Sequence, residues 1–186
     1  MTDRERIDQL LRQGEGLTVE FKESRTELPK SLFETICAFL NREGGTLLLG
    51  VRDDGTVTGV EPAAVARLSK EIVTQANNPD KLTPICRLFP EPIEVDGHTV
   101  LCVVVPPGSQ VHRTKNTIYD RSADGDFRVT DQEATRLLYD KKAQVSTENR
   151  VIPYLDLADL RPDVLSRVRQ MATVRQDGQH VWGSLS

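Results

Sequence analysis

The chain has 186 residues, 38% of them hydrophobic and 28% charged, with a formal net charge of −4. That length and composition suit one well-buried domain plus a partial second unit, and the negative charge argues against coating nucleic acid through overall charge, while leaving room for a local basic patch. No apolar run approaches the roughly 20 residues that span a bilayer, and the start MTDRERIDQ has no signal-peptide core, so a cytoplasmic protein with no membrane partner is expected.

In chain order, RERIDQLLRQGEG reads as a short helix with Ile7, Leu10 and Leu11 on one side and Gly14 as its stop. LTVEFKE follows as a strand, in which Leu17, Val19 and Phe21 alternate with Thr18, Glu20 and Lys22. Its polar face carries Glu20 and Lys22 about 6–7 Å apart at the usual rise, as an ordinary surface pair or as half of a site. Residues 30–42 form a helix ended by Gly44–Gly45, and TLLLGV with TVTGV forms a hairpin about the turn RDDG. Residues 62–77 read as another helix. PIEVDGHTVLCVVVPPG is a second hairpin about Asp96–Gly97, whose apolar second arm belongs inside a sheet. TIYDRS is one more strand, and TDQEATRLLYDKK is a helix opened by a capping box from Thr130 to Glu133. Paired strands alternate with helices too irregularly for a doubly wound sheet. The expected fold is therefore α+β, with a mixed, largely antiparallel sheet and packed helices over residues 1–142.

Residues 143–186 change character: one helix after Pro162, few buriable apolar residues, and Trp182 four residues before the last. They read as a linker and the start of a following region. Cys37, Cys86 and Cys102 are far apart in apolar surroundings and read as reduced, buried thiols, and His98, His112 and His180 are scattered, against a transition-metal centre.

VEFKES, TICAFLNREGGTLLLGVRDDGTVTGV, VLCVVVPPGSQ and IYDRSADGDFRVTDQEATRL together resemble the Schlafen AlbA-like (AlbA_2) DNA-binding domain of RecG-like bacterial and archaeal transcriptional regulators, over about residues 10–142. The resemblance implies an α+β domain, with longer members continuing into a winged-helix region. It also implies two functional traditions: nucleic-acid binding in a transcriptional regulator, and RNA cleavage by three carboxylates. The latter positions match Glu15, Glu20 and Asp53 or Asp54, which would hold Mg²⁺ or Mn²⁺ with Lys22 assisting. Five residues is an odd offset, so Glu15 would face away from Glu20 in an unbroken strand, though Gly14 and Gly16 permit a bend. The plain alternative is a solvated strand edge with an ion pair worth little.

The basic candidates for phosphate contact are Lys22, Arg25 and Lys30, then His112, Arg113, Lys115, Arg121 and Arg128, with Tyr119 for base stacking. Gly44, Gly45 and Gly50 read as structural, because their loop leads into a strand instead of opening a helix. Nucleic acid, DNA or structured RNA, is the expected partner. A metal-dependent endoribonuclease and a homodimerising interaction domain are the alternatives.

Overall fold

The computed structural model describes residues 2–122 and 125–143. The readings made for residues 144–186, Trp182 included, lie outside the described residues. Helix α1 (Asp3–Gln13) opens with a reciprocal cap, since Thr2 accepts from the Glu5 N–H while the Glu5 carboxylate accepts from the Thr2 N–H. Strand β1 (Val19–Lys22), helix α2 (Leu32–Asn41), strand β2 (Gly45–Leu49) and helix α3 (Pro62–Ala76) follow. Next come β3 (Leu82–Thr83), β4 (Glu91–Val95), β5 (His98–Val105), β6 (Arg113–Thr114), β7 (Tyr119–Ser122), β8 (Gly125–Arg128) and helix α4 (Gln132–Ala143).

The central sheet has the order β1-β2-β5-β4, with β1 parallel to β2 and the other two pairings antiparallel. This is the mixed, largely antiparallel α+β architecture that the sequence implies. Asp96 and Gly97 both take positive φ, 50° and 81°, as the two-residue turn of the β4–β5 hairpin demands. Strand β5 lies inside the sheet between β2 and β4.

Strands β2 and β5 divide their side chains between two cores. Leu47, Leu49, Leu101, Val103 and Val105 face α2 and α3 and join Ile36, Phe39, Leu68 and Ile72. On the opposite face Val19, Phe21, Leu48, Val100 and Cys102 pack with Ile7 of α1. Alternation therefore sets which way β1 presents Glu20 and Lys22: they stand beside Leu47 and Leu49, on the face covered by α2. Gly44 makes the sharp entry into β2 at φ 80°, where a Cβ would come within 2.5 Å of the Val105 carbonyl.

Three local readings are corrected. The hairpin expected between residues 46–51 and 56–60 reduces to one bridge, Val51 to Val57. Gly50 and Gly59 both take positive φ, and the N–H groups of Thr58 and Gly59 converge on the Gly50 carbonyl at 2.9 Å each, which ends the ladder. The cap of α4 is Asp131, one residue later than the expected Thr130, because its carboxylate accepts the Ala134 N–H at 2.7 Å. Leu17 is 49% exposed, since the chain bends over the edge of β1 before pairing begins at Val19.

Strands β7 and β8 form a separate two-stranded hairpin packed on α2. Asn41, buried at the end of α2, ties this region down. Its amide donates to the carbonyls of His112 at 3.0 Å and Tyr119 at 2.8 Å, and its carbonyl oxygen accepts the His112 N–H at 2.7 Å. The buried Lys142 ammonium of α4 donates to the carbonyls of Leu40 at 2.9 Å and Arg42 at 3.3 Å, where the partial negative end of the α2 dipole favours a cation. No described helix is long and apolar enough to cross a membrane.

Candidate functional site

Strand β1 is an edge strand, and its free backbone groups are covered by side chains. Even-numbered residues bond to β2, as when the Thr46 N–H donates to the Thr18 carbonyl at 2.8 Å. The Phe21 N–H points away from the sheet and donates to Glu15 Oε1 at 2.9 Å. On the same edge the carbonyls of Gly16 and Val19 accept from Arg121 of β7, at 2.8 and 3.5 Å. Glu15 and Arg121 thus block an edge that would otherwise offer itself to another strand.

Arg121 is 2% exposed and stacks on the Phe39 ring of α2 at 5.1 Å. Its guanidinium reaches Glu20 Oε2 with one arm and Asp126 Oδ1 with the other, at 2.7 Å for the latter. Lys22 closes on the second Glu20 oxygen, Oε1, and Thr35 donates to Asp126 Oδ2 at 2.6 Å. Burial alone would lower the Arg121 pKa, but the hydrogen bonds and fields of Glu20 and Asp126 outweigh it and raise the value. Two cations and two carboxylates therefore balance in a site that α2 and the β7–β8 hairpin cover. The polar face of β1 is closed, contrary to its reading as an open one: Glu20 is 8% exposed.

The acids proposed from the family resemblance gather at this end of β1 in part. Partial burial raises the Glu15 pKa, and the charges of Glu20 and Asp53 push the same way, against the Phe21 N–H and Lys22. Asp53 is therefore the aspartate whose charge reaches Glu15. Asp54 is engaged locally: its carboxylate accepts the Thr56 N–H at 2.8 Å, and that bond lowers its pKa. A divalent cation needs several free oxygens around one point. Both Glu20 oxygens face cations and one Glu15 oxygen is bonded to backbone, so the acids as arranged do not fit a metal. Among the described residues no group of three or more His, Cys, Asp or Glu side chains could hold one.

The basic candidates divide sharply. Lys22 and Arg121 are spent on Glu20, and Arg25 pairs with Glu61 at 2.5 Å. Tyr119 is 6% exposed and lies under the Arg128 guanidinium at 5.9 Å, so it offers no face for a base. His112 is buried, its ring packed against Gly108 and bonded through Nδ1 to the Gln110 carbonyl at 3.0 Å, and burial lowers its pKa. Lys30, Arg113, Lys115 and Arg128 are exposed and have no carboxylate partner among the described residues.

The sequence reading missed Asp126, Thr35 and Asn41, which join parts of the chain 71 to 91 positions apart: Thr35 to Asp126, and Asn41 to His112 and Tyr119. It also misplaced Arg121, for which a signal exists. In the strand YDRS, Tyr119 and Arg121 share a face, and a Tyr turned inward takes the Arg with it.

An α+β domain with a closed, charge-balanced site at its sheet edge defines the class of protein. The family model described as Schlafen, AlbA_2 matches residues 15–130, well over half of the chain, and the chain belongs to that family. The crystal structure of the DIP2311 protein from Corynebacterium diphtheriae is similar, with a TM-score of 0.57 and 18% identity over 98% of this chain and 39% of that one. This chain thus spans about two fifths of that relative, and the likeness shows the fold alone. The solution structure of the N-terminal domain of a RecG-related protein from Nitrosomonas europaea is 26% identical over 57% of this chain and 74% of that one, with a TM-score of 0.45. No curated protein matches.

Proposed function

We propose that this domain binds nucleic acid through its phosphate backbone, as the DNA-binding part of a transcriptional-regulator-type protein. The observation that carries the reading is the division among the cations. The paired ones hold the fold, while Lys30, Arg113, Lys115 and Arg128 stay at the surface without carboxylate partners among the described residues. Arg113, the first residue of β6, and Lys115, in the turn that follows it, are exposed on either side of the buried Thr114. Exposed cations of this kind meet phosphates and release counterions, independently of base sequence. Membership of the Schlafen AlbA_2 family agrees with a nucleic-acid role.

The test is fluorescence anisotropy of a labelled DNA duplex and a labelled RNA hairpin at two salt concentrations. Binding that weakens as salt rises is expected. Absence of binding to both polymers at low salt overturns the reading.

A metal-dependent endoribonuclease is the second reading, favoured by the charges of Glu20 and Asp53 that both act on the partly buried Glu15. It requires Glu20 to leave both Lys22 and Arg121 before any Mg²⁺ or Mn²⁺ is held. RNA cleavage with Mn²⁺, with Mg²⁺ and with chelator tests it. Metal-dependent cleavage that Glu20→Ala abolishes supports it, and no cleavage under any condition removes it.

A further inference from the structure

A cavity of about 270 Å³ opens between the start of α2, the end of α3 and the turn after β6. Its rim carries Lys30, Lys81 and Lys115, one from each of these places, and its wall includes the apolar side chains of Leu28 and Phe33. None of the three lysines has an ion pair among the described residues. The one carboxylate at the cavity, Glu71, accepts from Gln75 at 2.8 Å and faces Arg67 at 3.7 Å.

The topology forces two of these charges together. Strands β3 and β6 pair antiparallel with Leu82 opposite Thr114 and Thr83 opposite Arg113, so Lys81 and Lys115 both lie directly beyond the last pair, at the same end of the ribbon and at the same cavity. Like charges held at one surface without counter-charges repel one another. Lys115 also takes φ 48°, followed by Asn116 at 63°, in a tight turn closed by reciprocal Thr114–Thr117 bonds of 2.9 Å. A positive φ is an uncommon setting for lysine, and here it sets the direction in which that side chain leaves the backbone. Three cations without an ion-pair partner among the described residues, around a concave surface with an apolar wall, suit an anion that carries an apolar group.

Resting on the nucleic-acid reading above, we propose that this cavity is the phosphate-anchoring subsite: Lys30, Lys81 and Lys115 together grip one backbone phosphodiester, with the attached sugar against Leu28 and Phe33. Lys81 lies outside the basic stretches evident in the sequence and becomes part of the surface only through the β3–β6 pairing.

The experiment compares wild type, the triple variant Lys30→Gln/Lys81→Gln/Lys115→Gln, and a control losing the same charge elsewhere, Arg12→Gln/Arg136→Gln/Lys141→Gln. Each is titrated against the labelled DNA duplex and the labelled RNA hairpin at one salt concentration. The lysine variant is expected to lose about tenfold or more in affinity and the control about twofold or less, because contacts at the site add to the general screening term. Lys81→Gln alone should lose affinity severalfold. The lysine variant should also melt at the same temperature as wild type or higher, since removing it relieves repulsion, so failed folding cannot stand in for lost binding. Equal affinity of the lysine variant and wild type overturns the subsite and leaves the nucleic-acid reading intact. Equal losses in the lysine variant and the control also overturn it, and no binding by the wild type overturns both.

Discussion

On the covered face of β1, Glu20, Lys22, Arg121 and Asp126 satisfy one another beneath α2 and the β7–β8 hairpin. At the cavity beside the β3–β6 ribbon, Lys30, Lys81 and Lys115 have no such partners among the described residues. Both regions stand out in charge, yet only the first has closed its account internally. Taking an ion out of water costs several kcal/mol, and that is recovered only with well-placed partners. Where partners are present, the charge belongs to the architecture; where they are absent and the surface is concave, it is available to a ligand.

The sharpest way to break this comparison is to remove Arg121. Arg121→Ala leaves Asp126 without its cation and Glu20 with Lys22 alone, and uncovers the carbonyl of Gly16, and should cost about 3–5 kcal/mol in urea unfolding. Arg121→Lys keeps the charge but cannot span both carboxylates, and should recover only part of the loss. A fully stable Arg121→Ala protein would return this arginine to the binding surface. Next in size, Asn41→Leu should cost about 1–3 kcal/mol, because it removes the partner of the His112 N–H and one donor from each of the His112 and Tyr119 carbonyls.

The contrast between these two residues and the rest of the fold shows what a sequence makes legible. Helix α2, the Asp96–Gly97 hairpin and the inward Val19 and Phe21 follow from local periodicity and turn chemistry, and the structure has them. The meeting of Arg121 with Glu20 spans 101 positions, and that of Lys81 with Lys115 depends on a ladder of two residue pairs. No local pattern encodes either. Reading Arg121 as a surface cation failed because composition counts charges without their partners. The cluster of acids was legible only in outline: their positions follow from the family resemblance, while the cations that neutralise Glu20 come from elsewhere in the chain or from the strand's own pairing.

Two smaller effects sharpen the comparison through pH. Burial lowers the His112 pKa below its ordinary value near 6.5, so the unfolded chain binds the extra proton first. The stability that depends on neutral His112 is present above about pH 6.5 and is lost as pH falls from there through the folded value. Urea midpoints measured from pH 8 to pH 5 should fall accordingly, and His112→Asn should flatten that part of the profile. Glu15 has the opposite sign. Its folded pKa is raised, so its protonated form is favoured by folding, and the contribution disappears as pH rises from the ordinary carboxylate range through the folded value. Glu15→Gln keeps an acceptor for the Phe21 N–H while removing repulsion with Glu20 and Asp53. It should match wild type at low pH and gain a few tenths of a kcal/mol at neutral pH, within the range of surface substitutions. A loss at neutral pH would mean that its charge is structurally required.

Cys37 offers a check on the core between α2 and β6. Burial pushes its thiol up to about 11 and its hydrogen bond to the His112 carbonyl is 3.3 Å, so alkylation at neutral pH should proceed only as fast as that core opens.

The central claim, that unpaired charge and not paired charge meets the nucleic acid, is tested most directly by the salt dependence of binding. The logarithm of the association constant for a DNA duplex is plotted against the logarithm of salt concentration for wild type and for Lys30→Gln/Lys81→Gln/Lys115→Gln. Each phosphate contact contributes a slope of about −0.9 on duplex DNA. The account predicts a shallower line for the variant, by about one unit for a single gripped phosphate and up to about three if each lysine neutralises its own. Parallel lines of equal affinity would contradict it.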